Sequence, residues 1–427
     1  MLMKCRVINL GCKVNAYETE STAQMLEAEG FERTESAEEA DVTVIFTCAV
    51  TNTAAAKSRK QIHRARRSRP DSVIAVAGCY AQIDPEALKE ADILIGTAHK
   101  PLLPQYIRQY IRDRIPIRDI TDLSGIAFEP MYAERFEERT RAFLKIQDGC
   151  DQFCTYCVIP YARGRERSME PDAVIREVRQ LSASHREIVL AGIHTGRYGK
   201  EHGITLTGLL KRILQEVPEL QRIRISSIEV TELTDEFLEL LAEQPRIARH
   251  LHIPVQSGCD TVLARMGRPY TTKQYYDRLC EIRALIPDIS LSTDLMVGFP
   301  GETDEEFNAT LAFIRQCRFS FLHVFPYSLR KGTAAEQLPD HCAPEVKKER
   351  AGICLALSEQ LYEAYVRSLT GHEVQVLMET ETRGYSSEYT EAVLDKPYRK
   401  GSIVRAVITG YDNGAALAEG RGYLETE

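Results

Sequence analysis

The chain has no apolar run of the roughly eighteen residues that a membrane-spanning helix needs, and its start, MLMKCRVINLGCKVN, holds no extended apolar segment. Neither a membrane span nor a secretory leader is expected, and the cytoplasm is the expected location. Positive charge is in short supply as well. Lys and Arg number 54 against 62 Asp and Glu, a net charge of −8, so contact with nucleic acid must come from a local patch. Twelve cysteines in such a chain read as metal ligands or reactive and core thiols, not as a disulfide framework. A third absence concerns those cysteines: no fourth one follows the cluster Cys150, Cys154 and Cys157.

Three thiols in the pattern CxxxCxxC can converge on one soft metal centre, iron–sulfur or zinc. A closed zinc site wants four protein ligands, so three cysteines leave one metal corner open for something else to bind. Openness points to catalysis.

At 427 residues two or three domains are expected, and 44% hydrophobic with 27% charged residues describes a globular protein. Residues 1–115 alternate strand patterns at 6–10, 42–47, 72–77 and 93–95 with helical patterns beginning near Tyr17, Thr53 and Asp84, which implies an open parallel α/β sheet. Cys12, Cys48 and Cys79 each fall one or two residues past a strand, at spacings of 36 and 31. The carboxyl ends of neighbouring parallel strands share one crevice, so these three thiols should meet there. Between the last two runs a stretch at 57–70 with seven Lys and Arg and no acidic residue, a candidate phosphate-backbone contact. Residues 116–140, with Pro116, Gly125 and Pro130, read as a linker.

From 141 to 368 the alternation resumes. Strand patterns at 142–146, 187–190, 222–226, 251–255, 289–296 and 321–325, each followed by a helical stretch, suggest a partial (β/α)6 barrel, whose chemistry sits at the carboxyl ends of its strands. CxxxCxxC follows the first strand. Glycines near Gly192, the hydroxyl and carboxylate of Ser227 and Glu229, and the amide of Gln256 follow others. Gly298, Pro300 and Gly301 make a turn before a capping box at Thr303 and Glu306. His194 and His252 read as satisfied loop histidines, and Cys5, Cys259, Cys280, Cys317, Cys342 and Cys354 form no defensible pattern. Residues 369–427, with strand patterns at 373–378 and 403–408 and glycine turns, fit a small antiparallel β-barrel. Tyr385, Tyr389 and Tyr398 with Arg383, Lys396, Arg399 and Lys400 give a mixture suited to stacking on single-stranded bases.

On these motifs the chain resembles the radical S-adenosylmethionine methylthiotransferases. The resemblance implies that Cys150, Cys154 and Cys157 hold a 4Fe-4S cluster whose open iron chelates S-adenosylmethionine, and that Cys12, Cys48 and Cys79 hold a second 4Fe-4S cluster tied to sulfur delivery. It implies that Gly192, Ser227, Glu229, Gln256, Val297, Gly298 and Phe299 line the S-adenosylmethionine pocket, and that the last segment is a TRAM-like RNA-binding barrel. The expected partners are the anticodon loop of transfer RNA and a flavodoxin- or ferredoxin-like electron donor, with the sulfur donor unassigned. The stretch Gly11-Cys12-Lys13-Val14-Asn15-Ala16-Tyr17-Glu18-Thr19-Glu20 and the tail at 385–389 look most like the group acting on N6-threonylcarbamoyladenosine at position 37. Isopentenyladenosine and a ribosomal-protein aspartate are the other substrates within the family. A zinc-stabilised RNA-binding protein is the reading outside enzymes.

Overall fold

A computed structural model describes residues 2–137 and 139–424. The first six strands are β1 (Lys4–Asn9), β2 (Glu32–Arg33), β3 (Val42–Thr47), β4 (Val73–Gly78), β5 (Ile93–Ile95) and β6 (Ile117–Asp119), all parallel, in the spatial order 2-1-3-4-5-6. Period-two alternation decides what each face buries. Val42, Val44 and Phe46 join Val73, Ala75 and Ala77 on one side, and Ile45, Ile74 and Val76 lie on the other. Helices α1 (Lys13–Ala28), α2 (Asn52–Ser68), α3 (Cys79–Ile83) and α4 (Leu103–Asp113) connect the strands. In this strand order the direction of winding reverses between β1 and β3, and there an open α/β sheet holds its ligands.

Ile117–Asp119 departs from the linker expected over 116–140: it pairs with β5 and completes the sheet. Only three residues long and incompletely buried, an edge strand of this kind carries little apolar pattern.

The central unit contains β7 (Arg141–Lys145), a two-stranded ribbon of β8 (Gln147–Asp148) and β9 (Arg167–Ser168), then β10 (Glu187–Ala191), β11 (Arg222–Ile225), β12 (His250–His252), β13 (Ser290–Val297) and β14 (Phe321–Pro326). β7, β10 and β11 form one parallel ladder and β12, β13 and β14 another. The Ile228 amide, donating to the His252 carbonyl at 3.0 Å, joins them into one arc. That arc is a partial (β/α)6 barrel. Helices α5 (Ile159–Arg163), α6 (Pro171–Ser182), α7 (Leu206–Glu216), α8 (Asp235–Glu243), α9 (Asp260–Met266), α10 (Thr272–Leu285) and α11 (Asp304–Cys317) follow its strands, and Thr303 and Glu306 cap α11 reciprocally. α5 also packs outside its own barrel. Ala162 and Val158 enter the core on one face of the first sheet, so the two units share buried surface beside CxxxCxxC.

A second tie between the units has a pH signature. The Tyr17 hydroxyl, on α1, touches the Met131 carbonyl and lies 2.8 Å from Glu177 Oε1 on α6. Burial pushes the Glu177 carboxyl up to about 7, partly offset by the Ala133 amide and Tyr17. A folded-state pKa above the unfolded one gives stability that is complete below the unfolded value and is lost as pH rises through about 7. Glu177→Gln, which keeps the shape without the charge, should therefore be more stable than wild type by about 1–3 kcal/mol near pH 8, with the gain vanishing by about pH 4.5. Urea midpoints at the two pH values test this, and a gain that does not shrink on acidification counts against it.

α12 (Pro344–Ser368) leads into a closed barrel of β15 (Glu373–Met378), β16 (Arg383–Ser386), β17 (Glu391–Leu394), β18 (Ile403–Asp412) and β19 (Ala415–Tyr423). It is not wholly antiparallel, because closure runs through a parallel pairing of β17 with β19. The stacking surface expected there is also redistributed. Tyr398 is buried in the barrel core. Tyr389 is occupied by Tyr385, by the His250 ring at 5.0 Å and by the Arg224 guanidinium at 4.8 Å, and so fastens the barrel to the central unit. Arg383 pairs with Glu391. Among the six unpatterned cysteines, Cys5, Cys317 and Cys354 are core thiols and Cys280 is exposed.

Candidate active site

Cys12 is the N-cap of α1, Cys48 follows β3 and Cys79 opens α3. The ends that carry them are tied together. Asn15 Nδ2 donates to the Thr47 carbonyl at 3.0 Å, and Thr47 Oγ1 donates to the Ala77 carbonyl at 2.8 Å. Gly78 has φ +106°, and a Cβ there would stand 2.8 Å from the Thr47 carbonyl oxygen, so only glycine lets these ends approach. Burial, then the neighbouring Cys79, lifts the Cys48 thiol to about 11. Burial also raises Cys79, while the Arg163 guanidinium, donating Nε–H to its Sγ at 3.2 Å, opposes the rise.

CxxxCxxC leaves the barrel at the carboxyl end of β7. Gly149 has φ +75° and would place a Cβ 1.9 Å from the Arg165 carbonyl oxygen, and Phe153 adopts φ +48°. The loop is thus wound tightly around its thiols. Cys150 Sγ lies 3.5 Å from His194 Nδ1 and accepts from the Gln152 amide at 3.4 Å. Cys154 Sγ accepts from Arg268 at 3.5 Å, and Arg268 in turn grips Glu229. Burial drives the Cys157 thiol up to about 12. Burial disfavours the imidazolium of His194, but Cys150, Glu166 at 3.2 Å and Glu232 at 2.7 Å more than compensate and hold its pKa at about 12. His194 is thus a fixed cation facing a thiol, a role beyond the satisfied loop histidine expected of it.

Cys12 of the first thiol set and His194, the partner of Cys150 in the second, line one cavity of about 580 Å³ at the carboxyl ends of the barrel strands. Cys12, Lys13 and Val14 of the first unit roof it, and His194 carries the neighbourhood of Cys150 into it. Of the residues expected around S-adenosylmethionine, Gly192, Ser227 and Glu229 line this cavity. A Cβ on Gly192 would meet Thr195 Oγ1 at 2.9 Å. Gln256 has φ +69° and bridges to Leu295. The Val297 and Phe299 side chains turn into the core instead, and a Cβ on Gly298 would meet the Lys347 stem. His252, expected as a satisfied loop histidine, also lines the cavity, together with Asp294, His323 and Phe325.

Among the described residues no three His, Cys, Asp or Glu side chains close around a single metal ion. A cubane makes a different demand, spreading its thiolates over separate iron corners. The chain offers two sets of unpaired, thiol-only ligands, each with N–H donors aimed at sulfur, and these fit such clusters.

Fold and site together define a radical S-adenosylmethionine enzyme. Residues 144–314 match the Radical SAM superfamily, and residues 4–96 match the uncharacterized protein family UPF0004. Among solved structures, the radical S-adenosylmethionine methyltransferase TsrM from Kitasatospora setae shares the fold at a TM-score of 0.56 and 15% identity, over 76% of this chain and 75% of that one. The threonylcarbamoyladenosine tRNA methylthiotransferase MtaB of Bacillus subtilis is 43% identical, over 93% of this chain and 96% of its own length. The protein of that name from Rickettsia prowazekii is 35% identical over 96% of each chain. The tRNA-2-methylthio-N(6)-dimethylallyladenosine synthase of Pelotomaculum thermopropionicum is 34% identical, also over 96% of each. The chain belongs to the methylthiotransferase family of radical S-adenosylmethionine enzymes, which work with S-adenosylmethionine and 4Fe-4S clusters. Among the described residues no helix is long and apolar enough to cross a membrane.

Proposed function

We propose that this chain methylthiolates C2 of N6-threonylcarbamoyladenosine at position 37 of transfer RNA, beside the anticodon. The observation that carries the chemistry is the shared cavity: Cys12 of one thiol set and the His194 partner of the other face the same space. The substrate rests on the likeness to relatives named for it, at up to 43% identity.

Cys150, Cys154 and Cys157 would hold the cluster that binds S-adenosylmethionine, and Cys12, Cys48 and Cys79 the second. When bound, S-adenosylmethionine and these clusters supply a 5′-deoxyadenosyl radical for the unactivated C2–H bond, the sulfur, and, from a second S-adenosylmethionine, the methyl group. The protein's part is positioning. His194, Arg268 and Arg163 donate to Cys150, Cys154 and Cys79, stabilising thiolate charge there. Gly192, Ser227 and Glu229 surround the space for S-adenosylmethionine, with Gln256 and the backbone at Val297, Gly298 and Phe299 at its edge. Phe325, 41% exposed on the cavity wall, offers a ring on which an unstacked loop base can lie.

The exposed row Lys57, Lys60, Arg64 and Arg67 on α2 provides the phosphate contacts of the anticodon arm. Arg66 and Arg69 of the same run are spent on Asp92 and Asp41. A flavodoxin- or ferredoxin-like protein supplies electrons, and the reaction is cytoplasmic. The units involved are the first sheet, which β6 carries to Asp119, the connecting 120–140, the radical core over 141–368 and the RNA-binding barrel over 369–427.

The test is anaerobic turnover of the iron-loaded protein with S-adenosylmethionine and a chemical reductant on anticodon stem-loops bearing either modified adenosine. The 2-methylthio derivative of the threonylcarbamoyl nucleoside should form. Conversion of isopentenyladenosine alone would move the enzyme to the substrate class named for the Pelotomaculum relative.

A further inference from the structure

Lys13 stands where two cavities meet. It lines the reaction cavity beside Cys12, and it also lines a second cavity of about 380 Å³ that runs beneath the C-terminal barrel. The second cavity presents Lys13, Arg139, Arg141, Arg224 and Lys400 against the single carboxylate of Glu379. Such an excess is local, since the whole chain carries −8. Two of these cations are already matched: Arg141 pairs with Glu379 at 2.6 Å, and Arg224 pairs with Glu187 at 2.8 Å. Among the described residues Lys13, Arg139 and Lys400 have no carboxylate partner. Asp294, the acid of the reaction cavity whose charge is felt at Lys13, lies 3.2 Å from His252.

We infer that the Lys13 ammonium binds the carboxylate of the threonylcarbamoyl group, and that this ion pair separates a charged N6 substituent from an apolar one. The inference rests on the substrate proposed above. In adenine, C2 and the N6 substituent flank N1 along one edge of the ring. A base offering C2 to the space beside Cys12 therefore extends its N6 group only a few bonds away, within reach of the next residue in the chain. The threonyl carboxylate is the single negative charge of that substituent, and it matches the unpartnered ammonium. An isopentenyl chain in the same place would cover Lys13 with hydrocarbon and leave it unpaired, which disfavours that substrate. Arg139 and Lys400, farther along the same cationic wall, suit the phosphodiester backbone leading into the loop.

The test is equilibrium binding of anticodon stem-loops to the anaerobically iron-loaded enzyme. The RNAs carry threonylcarbamoyladenosine, its methyl ester or plain adenosine at position 37, and the proteins are wild type, Lys13→Gln and Lys13→Arg. Wild type should prefer the free acid to its ester by roughly tenfold or more, the worth of one charge-assisted hydrogen bond. Lys13→Gln should abolish that preference while binding the adenosine RNA as wild type does, and Lys13→Arg should keep it. Iron content is checked first, because Lys13 adjoins Cys12. If the Gln variant loses iron, the same readings are taken on Lys13→Met, whose apolar stem keeps the packing. Equal weakening of all three RNAs would make Lys13 a phosphate contact and overturn the inference, as would a preference that survives the substitution. A wild type that thiolates the threonylcarbamoyl RNA but binds acid and ester alike overturns the Lys13 contact alone. A wild type that thiolates only isopentenyladenosine overturns the substrate reading, and the inference falls with it.

Discussion

Cys154→Ala is expected to give a folded protein that still binds transfer RNA but forms no detectable 5′-deoxyadenosine and no thiolated nucleoside. Cys154 sits at the centre of CxxxCxxC, 9% exposed, with Arg268 donating to its sulfur. Removing it leaves two thiolates where three already leave one iron corner open, and the site loses the ligand set that makes S-adenosylmethionine chelation possible. Unfolding is too weak an explanation for such a loss. Deleting one sulfur from a loop fixed by Gly149 and Phe153 belongs with ordinary substitutions of about 1 kcal/mol. The companion variant separates the two sites. Replacing Cys12, Cys48 and Cys79 together by Ala should lower iron from about eight to about four per chain, as two cysteine-held clusters becoming one requires. That protein should still cleave S-adenosylmethionine to 5′-deoxyadenosine while methylthiolation disappears. Production of 5′-deoxyadenosine by Cys154→Ala would sink the assignment of the radical site, and about four irons in wild type would demote the first three cysteines to core residues.

The cysteines were legible because their signal is local. CxxxCxxC is a spacing, and Cys12, Cys48 and Cys79 each follow an apolar run that the structure turns into a strand. What was not legible is the set of side chains that meet those thiols from elsewhere. His194 reads as a loop histidine because Glu166 and Glu232, which fix its charge, come from distant loops that no periodicity brings together. Arg268 and Cys154 meet across 114 positions, and Arg163 and Cys79 across 84. A tyrosine beside basic residues carries the same letters whether it faces solvent or, like Tyr389, is stacked between two units. Strand β6 escaped because three residues at a sheet edge, two half-buried and one exposed, carry almost no pattern. Period-two and period-3.6 signals report which face of an element is apolar, and they say nothing about which elements share an ion.

That limit is sharpest at Glu18, quoted in the sequence only as part of the stretch after Cys12. Its buried carboxylate accepts from Lys100 at 2.7 Å, Lys145 at 2.9 Å and Arg163 at 3.2 Å, and Arg163 also meets Asp148 at 3.1 Å. Burial alone would raise the Glu18 pKa, but the charges of Arg163, Lys100 and Lys145 carry it well below the usual carboxylate range. With Arg167 beside Asp148, four cations surround two carboxylates at the junction of the two cysteine-bearing units. Removing a carboxylate from such a set is worse than removing a cation. Glu18→Gln should therefore cost about 3–5 kcal/mol, the range for stranding buried charge, and Arg163→Met should cost less. A larger fall in melting temperature for Arg163→Met than for Glu18→Gln, both measured without iron, would overturn that order. The surplus cations have a physical reason in the proposed cluster, because Cys12, Cys48 and Cys79 would ligate it as thiolates, and Arg163 already donates to one of them. Iron loading should then stabilise wild type more than Arg163→Met. The midpoint potential of that cluster should fall in the variant, because an N–H donor to sulfur favours the reduced, more negative state. An unchanged potential would confine Arg163 to the fold.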